Sequence, residues 1–220
     1  MPPRIEPGSV RELIIAGWTG RDQAALEAHI RELEALGVAR PGETPAFYPM
    51  PPALLTHSSS IAAGRDSTGE AEAVLFAADD GLWVRVGSDH TDRKLEAISV
   101  VQSKQACPKP VSREKWRFDE VEPHWDSLIL RSHAVVDGTP VLYQEGPVAA
   151  LRHPRELIAL YEERHARTFA PGFAMFCGTL AVKGGVRWAD TFAIELEDQI
   201  LGRRLTHSYE IRDLESGIRN

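Results

Sequence analysis

The segment Ser67-Thr68-Gly69-Glu70-Ala71-Glu72-Ala73-Val74-Leu75-Phe76 begins with turn-forming residues and rises into an apolar run, the pattern of a strand entered from a loop. Side chains two apart on a strand share a face, so Glu70 and Glu72 project side by side. Like charges held that close repel one another and lose hydration, and they need a cation, a shared proton or open water. Leu82-Trp83-Val84-Arg85-Val86-Gly87 reads as a second strand, joined to the first through the turn Asp79-Asp80-Gly81. Such a hairpin carries Asp89 toward the glutamate pair. Glu70, Glu72 and Asp89 then form a hard, all-oxygen donor set suited to magnesium or manganese, with calcium as a further candidate, rather than to zinc or copper. The same local pattern also suits the solvent face of an edge strand, where charge guards against further pairing.

Around this hairpin the chain alternates strands with two helices. Val10 to Gly17 reads as a strand, and Asp22 as the cap of a helix running to about Leu36, with Leu26, His29, Ile30, Leu33 and Leu36 on one face and Gly37 at its end. The proline-rich stretch from Arg40 to Pro52 fits neither a central strand nor a helix, which leaves a linker or a lid. Ser127–Val136 and Thr139–Gln144 read as a hairpin turned by Asp137-Gly138. Pro154 opens a helix through about Arg167, and Ala174–Cys177, Thr191–Leu196 and Leu205–Ile211 read as strands. These elements predict an α+β, mostly β fold with residues 1–45 as an N-terminal strand and helix and residues 46–220 as the main domain.

At 220 residues the chain is long enough to bury a sizeable core. A net charge of -7 argues against nonspecific nucleic-acid binding. The sequence has no long uncharged apolar stretch and its N-terminus lacks a hydrophobic signal region, so no membrane partner is expected and cytoplasmic residence is the default. Cys107 and Cys177 are too few for a disulfide scaffold and lack metal-ligand spacing.

The order of motifs resembles the catalytic domain of the fumarylacetoacetate hydrolase superfamily, over roughly residues 46 to 214. The matching pieces are Glu70-Ala71-Glu72, Ser88-Asp89-His90-Thr91-Asp92-Arg93, Ser103-Lys104, Tyr143-Gln144-Glu145-Gly146, and Pro171-Gly172-Phe173 leading to Cys177-Gly178-Thr179. Gly17-Trp18-Thr19-Gly20-Arg21-Asp22, Gly87 to Arg93 and Ser103 to Pro108 are similar to a bacterial domain-of-unknown-function family, number 2848. Phe173 stands where the superfamily pattern has Asp, and Leu180 where Pro often follows Gly-Thr. No counterpart of the His-Glu pair that activates water in the hydrolytic members is evident.

The resemblance implies a rolled or barrel-like mixed sheet, a homodimer, and a metal-dependent enzyme acting on a small 2-oxo acid or dicarbonyl compound. The metal ligands are Glu70, Glu72 and Asp89, with Lys104 and Arg93 neutralising an anion or stabilising an enolate, and Gln144, Gly178 and Thr179 contacting substrate. His90 is the local candidate for a general base, provided that the backbone turns it toward the carboxylates, and His57 is its rival. Hydrolysis of a carbon-carbon bond is expected first, with decarboxylation, tautomerisation or isomerisation, and noncatalytic binding of a ligand as alternatives.

Overall fold

The apolar run that follows Glu72 is continuous rather than alternating, which suits a strand covered on both faces. The computed structural model, which describes residues 6–35, 40–136, 138–214 and 216, places this run near the middle of the larger of the two main sheets. In chain order, β1 (Glu12–Gly17) leads to α1 (Gln23–Ala35) and β2 (Ala46–Met50). Short strands β3 (Leu55–Thr56), β4 (Ser60–Ala63) and β5 (Ser67–Thr68) precede the hairpin of β6 (Ala71–Ala78) and β7 (Gly81–Ser88). After it come β8 (Thr91–Asp92), α2 (Arg93–Glu96), α3 (Val100–Gln105), β9 (Lys109–Pro110), β10 (Trp116–Arg117) and α4 (Phe118–Val121). A second hairpin, β11 (Ile129–Val136) and β12 (Thr139–Pro147), is followed by α5 (Pro154–His165), β13 (Phe173–Thr179), β14 (Thr191–Asp198) and β15 (Arg203–Asp213).

The larger sheet has the order β10-β7-β6-β13-β1-β2 and the smaller one β12-β11-β14-β15-β4. Pairing is antiparallel except for β1 with β13 and β15 with β4, so both sheets are mixed. They are open layers and do not close into a barrel. Along β6 the odd positions Ala71, Ala73 and Leu75 join Leu130, Ile194, Leu196 and Leu205 of the smaller sheet in one core. The even positions Val74 and Phe76 join Leu13, Ile15, Ala174, Phe176, Leu55 and Val111 in a second core on the opposite face. That two-sided cover explains why β6 is buried along almost its whole length. The smaller sheet behaves differently: β14 alternates buried and half-buried positions. Its outward side chains form an ion-pair network in which Arg131 meets Glu145 at 2.8 Å, Glu195 at 3.0 Å and Glu197 at 2.5 Å.

Three expectations change. Glu72 stands on an interior strand, with Glu70 just before it, rather than on an edge, because β7 and β13 flank β6. Residues 46–50, read as linker or lid, form the edge strand β2, and an edge tolerates the missing N–H of Pro49. Of the N-terminal strand and helix, the strand is an interior member of the main sheet, paired with β13 and β2. α1 starts as expected, with Asp22 Oδ1 accepting from Ala24 N at 2.9 Å and Ala25 N at 3.1 Å, and with Leu26 and Ile30 buried. The side chains of His29 and Leu33, all of Leu36 and Gly37, and the turn residue Asp137 lie outside the described residues. Among the described residues no helix is long and apolar enough to cross a membrane.

Gly87 marks the tightest packing behind the hairpin. A Cβ there would meet Val74 Cγ2 at 2.7 Å, Val111 Cγ1 at 2.8 Å and Phe176 Cε1 at 2.9 Å. These are buried core atoms with no room to withdraw, so Gly87→Ala is expected to destabilise the fold by roughly 1–3 kcal/mol, read as a lower urea midpoint at unchanged slope.

Candidate metal centre

Strand parity puts Glu72 on β6 and Glu70 just ahead of it on the same side. The antiparallel register Ala71↔Ser88 then delivers the next residue, Asp89, to the same place. Asp89 N donates to Glu70 O at 2.9 Å, which fixes the end of the hairpin. As a result one oxygen from each of Glu70, Glu72 and Asp89 lies within 4.8 Å of the others. Glu72 and Asp89 are buried, and Glu70 is half-buried.

Each carboxylate has its own support. Glu72 Oε2 accepts from Gly178 N at 2.7 Å. Gly178 has φ +97°, and a Cβ at this position would lie 1.8 Å from Thr19 Oγ1, so only glycine lets β13 turn its N–H onto the glutamate. Glu70 Oε1 is held by Arg93 Nη2 at 2.9 Å, while Arg93 Nη1 donates to Glu96 Oε2 at 2.9 Å. Arg93 reaches this place because β8 folds back on β5 and Asp92 caps α2, accepting from Leu95 N at 2.9 Å. Asp89 sits between two lysines. Lys104 Nζ donates to its Oδ2 at 2.5 Å and lies 3.8 Å from Glu70 Oε2. Lys109 Nζ lies 3.1 Å from Asp89 Oδ1, an ion-pair distance that lacks hydrogen-bond geometry.

The electrostatics separate the three acids. Burial, reinforced by the charges of Asp89 and Glu70, lifts the Glu72 carboxyl well above the ordinary range. Burial pushes Asp89 upward too, but Lys104 and Lys109 outweigh it and hold Asp89 below its usual value. Lys104 is raised: burial disfavours its ammonium, yet Asp89 and Glu70 more than compensate. It is therefore a fixed cation and no base at neutral pH.

The donor set fits a hard divalent cation. Three oxygens converge, Asp89 Oδ1 is buried with no directed donor, and Glu72 is an acid whose charge lacks a cation of its own. Glu70, Glu72 and Asp89 are the residues that would hold it.

Several expected contacts take other roles. His90 does not face the carboxylates as a base. It is fully buried, its Nδ1 is 3.1 Å from Tyr209 Oη and its Nε2 is 2.9 Å from Ser67 Oγ. Burial first, then Lys109 and Arg93, depress it to about 3, so it is a neutral scaffold residue. His57 is likewise engaged, with Nδ1 2.9 Å from Val111 O. Gln144 has no free position for a substrate. Its Oε1 accepts from Ala71 N at 2.9 Å and Ser132 Oγ at 2.8 Å, and its Nε2 donates to Thr179 Oγ1 at 2.7 Å and Leu180 O at 2.6 Å. Thr179 Oγ1 donates to Ala71 O at 2.8 Å and keeps one acceptor position. These residues clamp the peptide between the two glutamates. Phe173 lies at the opposite end of β13 from Gly178, packed against Phe169 at a ring distance of 5.4 Å, so its apolar character serves the core.

Two residues at the site carry no signal in the sequence reading. Lys109 is one. Tyr48 on β2 is the other: its hydroxyl accepts from Trp18 Nε1 at 2.9 Å, and it lies close enough to feel the charges of Lys104 and Asp89. Trp18 has φ +58°, a strained conformation for a bulky residue.

The profile of the family described as Protein of unknown function (DUF2848) matches residues 16–209. The chain belongs to that family. Among curated proteins no sequence match is found. Its fold is similar to that of 2-keto-3-deoxy-D-arabinonate dehydratase complexed with magnesium and 2,5-dioxopentanoate, at 19% identity and TM-score 0.65 over 93% of this chain and 74% of that one. It is also similar to 4-oxalocrotonate decarboxylase from Pseudomonas putida G7, complexed with magnesium and adipate, at 16% identity and TM-score 0.61 over 90% and 77%. A fumarylacetoacetate hydrolase family protein from Yersinia pestis CO92 matches at 15% identity and TM-score 0.64, over 92% and 94%. This DUF2848 protein thus has the fumarylacetoacetate hydrolase fold.

The Glu72 shift has a measurable consequence for the metal-free protein. Because the folded state keeps this proton above the ordinary carboxylate value of 4.5, it binds more protons there than the unfolded chain. The stability contribution is therefore complete below that value and is lost as pH rises toward the folded one. The Glu72 contribution to the unfolding free energy of metal-stripped protein should decline above about pH 5, against the rise contributed by buried histidines such as His90, so it is read as the difference in pH slope between the parent and a Glu72 variant. The decline should flatten in Glu72→Gln, and equal slopes for the two proteins would contradict the assignment.

Proposed function

We propose that this protein is a divalent-metal-dependent enzyme that acts on a small 2-oxo acid through an enolate, with decarboxylation as its reaction. The observation that carries the reading is the convergence of three carboxylates, two of them buried, beside the ammonium of Lys104 held on Asp89. Magnesium or manganese held by Glu70, Glu72 and Asp89 would polarise the substrate carbonyl as a Lewis acid. The protein's own residues account for the remainder. Lys104, bound to Asp89 and 3.8 Å from Glu70 Oε2, can stabilise the charge that develops on the 2-oxo oxygen. Arg93, braced between Glu70 and Glu96, keeps Glu70 aimed at the cluster. Gly178 N–H does the same for Glu72.

Decarboxylation suits these groups because the carbon-carbon bond breaks with its electron pair moving toward the 2-oxo oxygen while carbon dioxide leaves. No side-chain base is needed to begin it. Carbon-carbon hydrolysis, the first expectation from sequence, requires a base that activates water, and His90 is closed to that role. The magnesium-bound dehydratase and decarboxylase of the same fold support enolate chemistry here.

The test is turnover of 2-oxo acids bearing a second carboxylate beyond the 2-oxo carbon, with magnesium or manganese, followed by carbon dioxide release. Lys104→Met should lower kcat by about 10²–10³-fold with the fold intact by circular dichroism. Cleavage of acylpyruvates without carbon dioxide would turn the assignment to hydrolysis. Metal binding with no turnover of any 2-oxo acid would favour a ligand-binding protein.

A further inference from the structure

We propose that Lys109 makes occupancy of the metal site conditional on the oxyacid, so that ion and substrate bind as a pair. The inference rests on the reading of Glu70, Glu72 and Asp89 as metal ligands.

Lys109 lies between Pro108 and Pro110 on β9, and its side chain is fully buried beneath Asp89. Its Nζ lies 3.1 Å from Asp89 Oδ1, donates to His90 O at 2.5 Å and donates to Lys104 O. Burial lowers the affinity of this amine for its third proton, and the Asp89 charge beside two carbonyl acceptors opposes that and favours the ammonium. A third cation is thus built into the floor of a site that already has Lys104 and Arg93.

The charge balance follows from the contacts. Four carboxylates, Glu70, Glu72, Asp89 and Glu96, face three cations, Arg93, Lys104 and Lys109. A divalent ion entering alone leaves one uncompensated positive charge in a largely buried place, which is unfavourable. The carboxylate of a 2-oxo acid cancels it. Without Lys109 the ion alone would reach balance. The lysine also stands 3.1 Å from Asp89 Oδ1, a buried triad oxygen that lacks a directed donor. Ion and oxyacid therefore strengthen each other's binding, and the coupling is reciprocal.

Manganese titrated into the metal-stripped full chain, with and without saturating oxalate as a nonreacting dicarboxylate, tests the idea. Titrations are corrected for manganese bound by oxalate in solution. In the parent, oxalate should tighten manganese binding by at least about tenfold, within the range of coupled sites. Lys109→Gln keeps a donor for the two carbonyls but no charge, and Lys109→Met keeps neither. Both should bind manganese alone more tightly than the parent and depend less on oxalate. Equal affinity of the parent with and without oxalate overturns the inference while leaving the metal site standing, whether or not the variants fold. Weaker manganese binding by both folded variants also overturns it, because Lys109 would then only hold Asp89 in position. No manganese binding under either condition removes the metal reading itself and the inference with it.

Discussion

A carboxylate buried between two lysines organises this molecule. Taking Asp89 out of water is unfavourable unless opposite charge comes with it, and Lys104 and Lys109 supply that charge from above and below. The three groups come from the residue after β7, from α3 and from β9, so satisfying one aspartate draws three segments to one point. The connecting chain has to follow. Asp89 N binds back to Glu70 O, Lys109 Nζ reaches the carbonyls of His90 and Lys104, and Cys107 is buried between the two lysines. Removing one member of such a buried set typically costs about 3–5 kcal/mol, since the remaining charges lose their partner.

The same constraint gives the site its chemical character. Lysines that hold Asp89 ionised leave Glu72 as the acid whose charge is poorly compensated, and Gly178 N–H is its one hydrogen-bond donor. A divalent ion would relieve that imbalance, and this, rather than the number of acids alone, suits the cluster to holding a metal. The surrounding polar residues are used up in support. Gln144 and Thr179 lock the peptide of Ala71, and His90 with Tyr209 and Ser67 fills the space behind the hairpin. Lys104 remains beside the triad with its ammonium on Asp89, and Trp18 is hydrogen-bonded to Tyr48 nearby.

Much of this was legible in the sequence where the physics is local. Strand parity puts Glu70 and Glu72 together, a tight turn brings Asp89 back to them, and the resemblance to a known superfamily added Lys104 and Arg93. The rest depends on tertiary facts that have no local trace. A lysine flanked by prolines reads as an exposed loop, and only the assembled sheet shows Lys109 buried. Gln144 and His90 occupy the expected positions, but their roles turn on which partners saturate them, and those partners come from distant strands. β1 reads in the sequence as separate from the main domain because its parallel partner β13 lies near the other end of the chain. Pro49 hid an edge strand for a simpler reason, since an edge can spare one N–H.

The most direct test is anomalous diffraction at the manganese edge from crystals grown with manganese and oxalate. The account predicts one strong peak joined to an oxygen from each of Glu70, Glu72 and Asp89 at roughly 2.0–2.3 Å, with oxalate on its open side. An absent peak, or one elsewhere with the three carboxylates still bound only to Arg93, Lys104, Lys109 and Gly178, would contradict it.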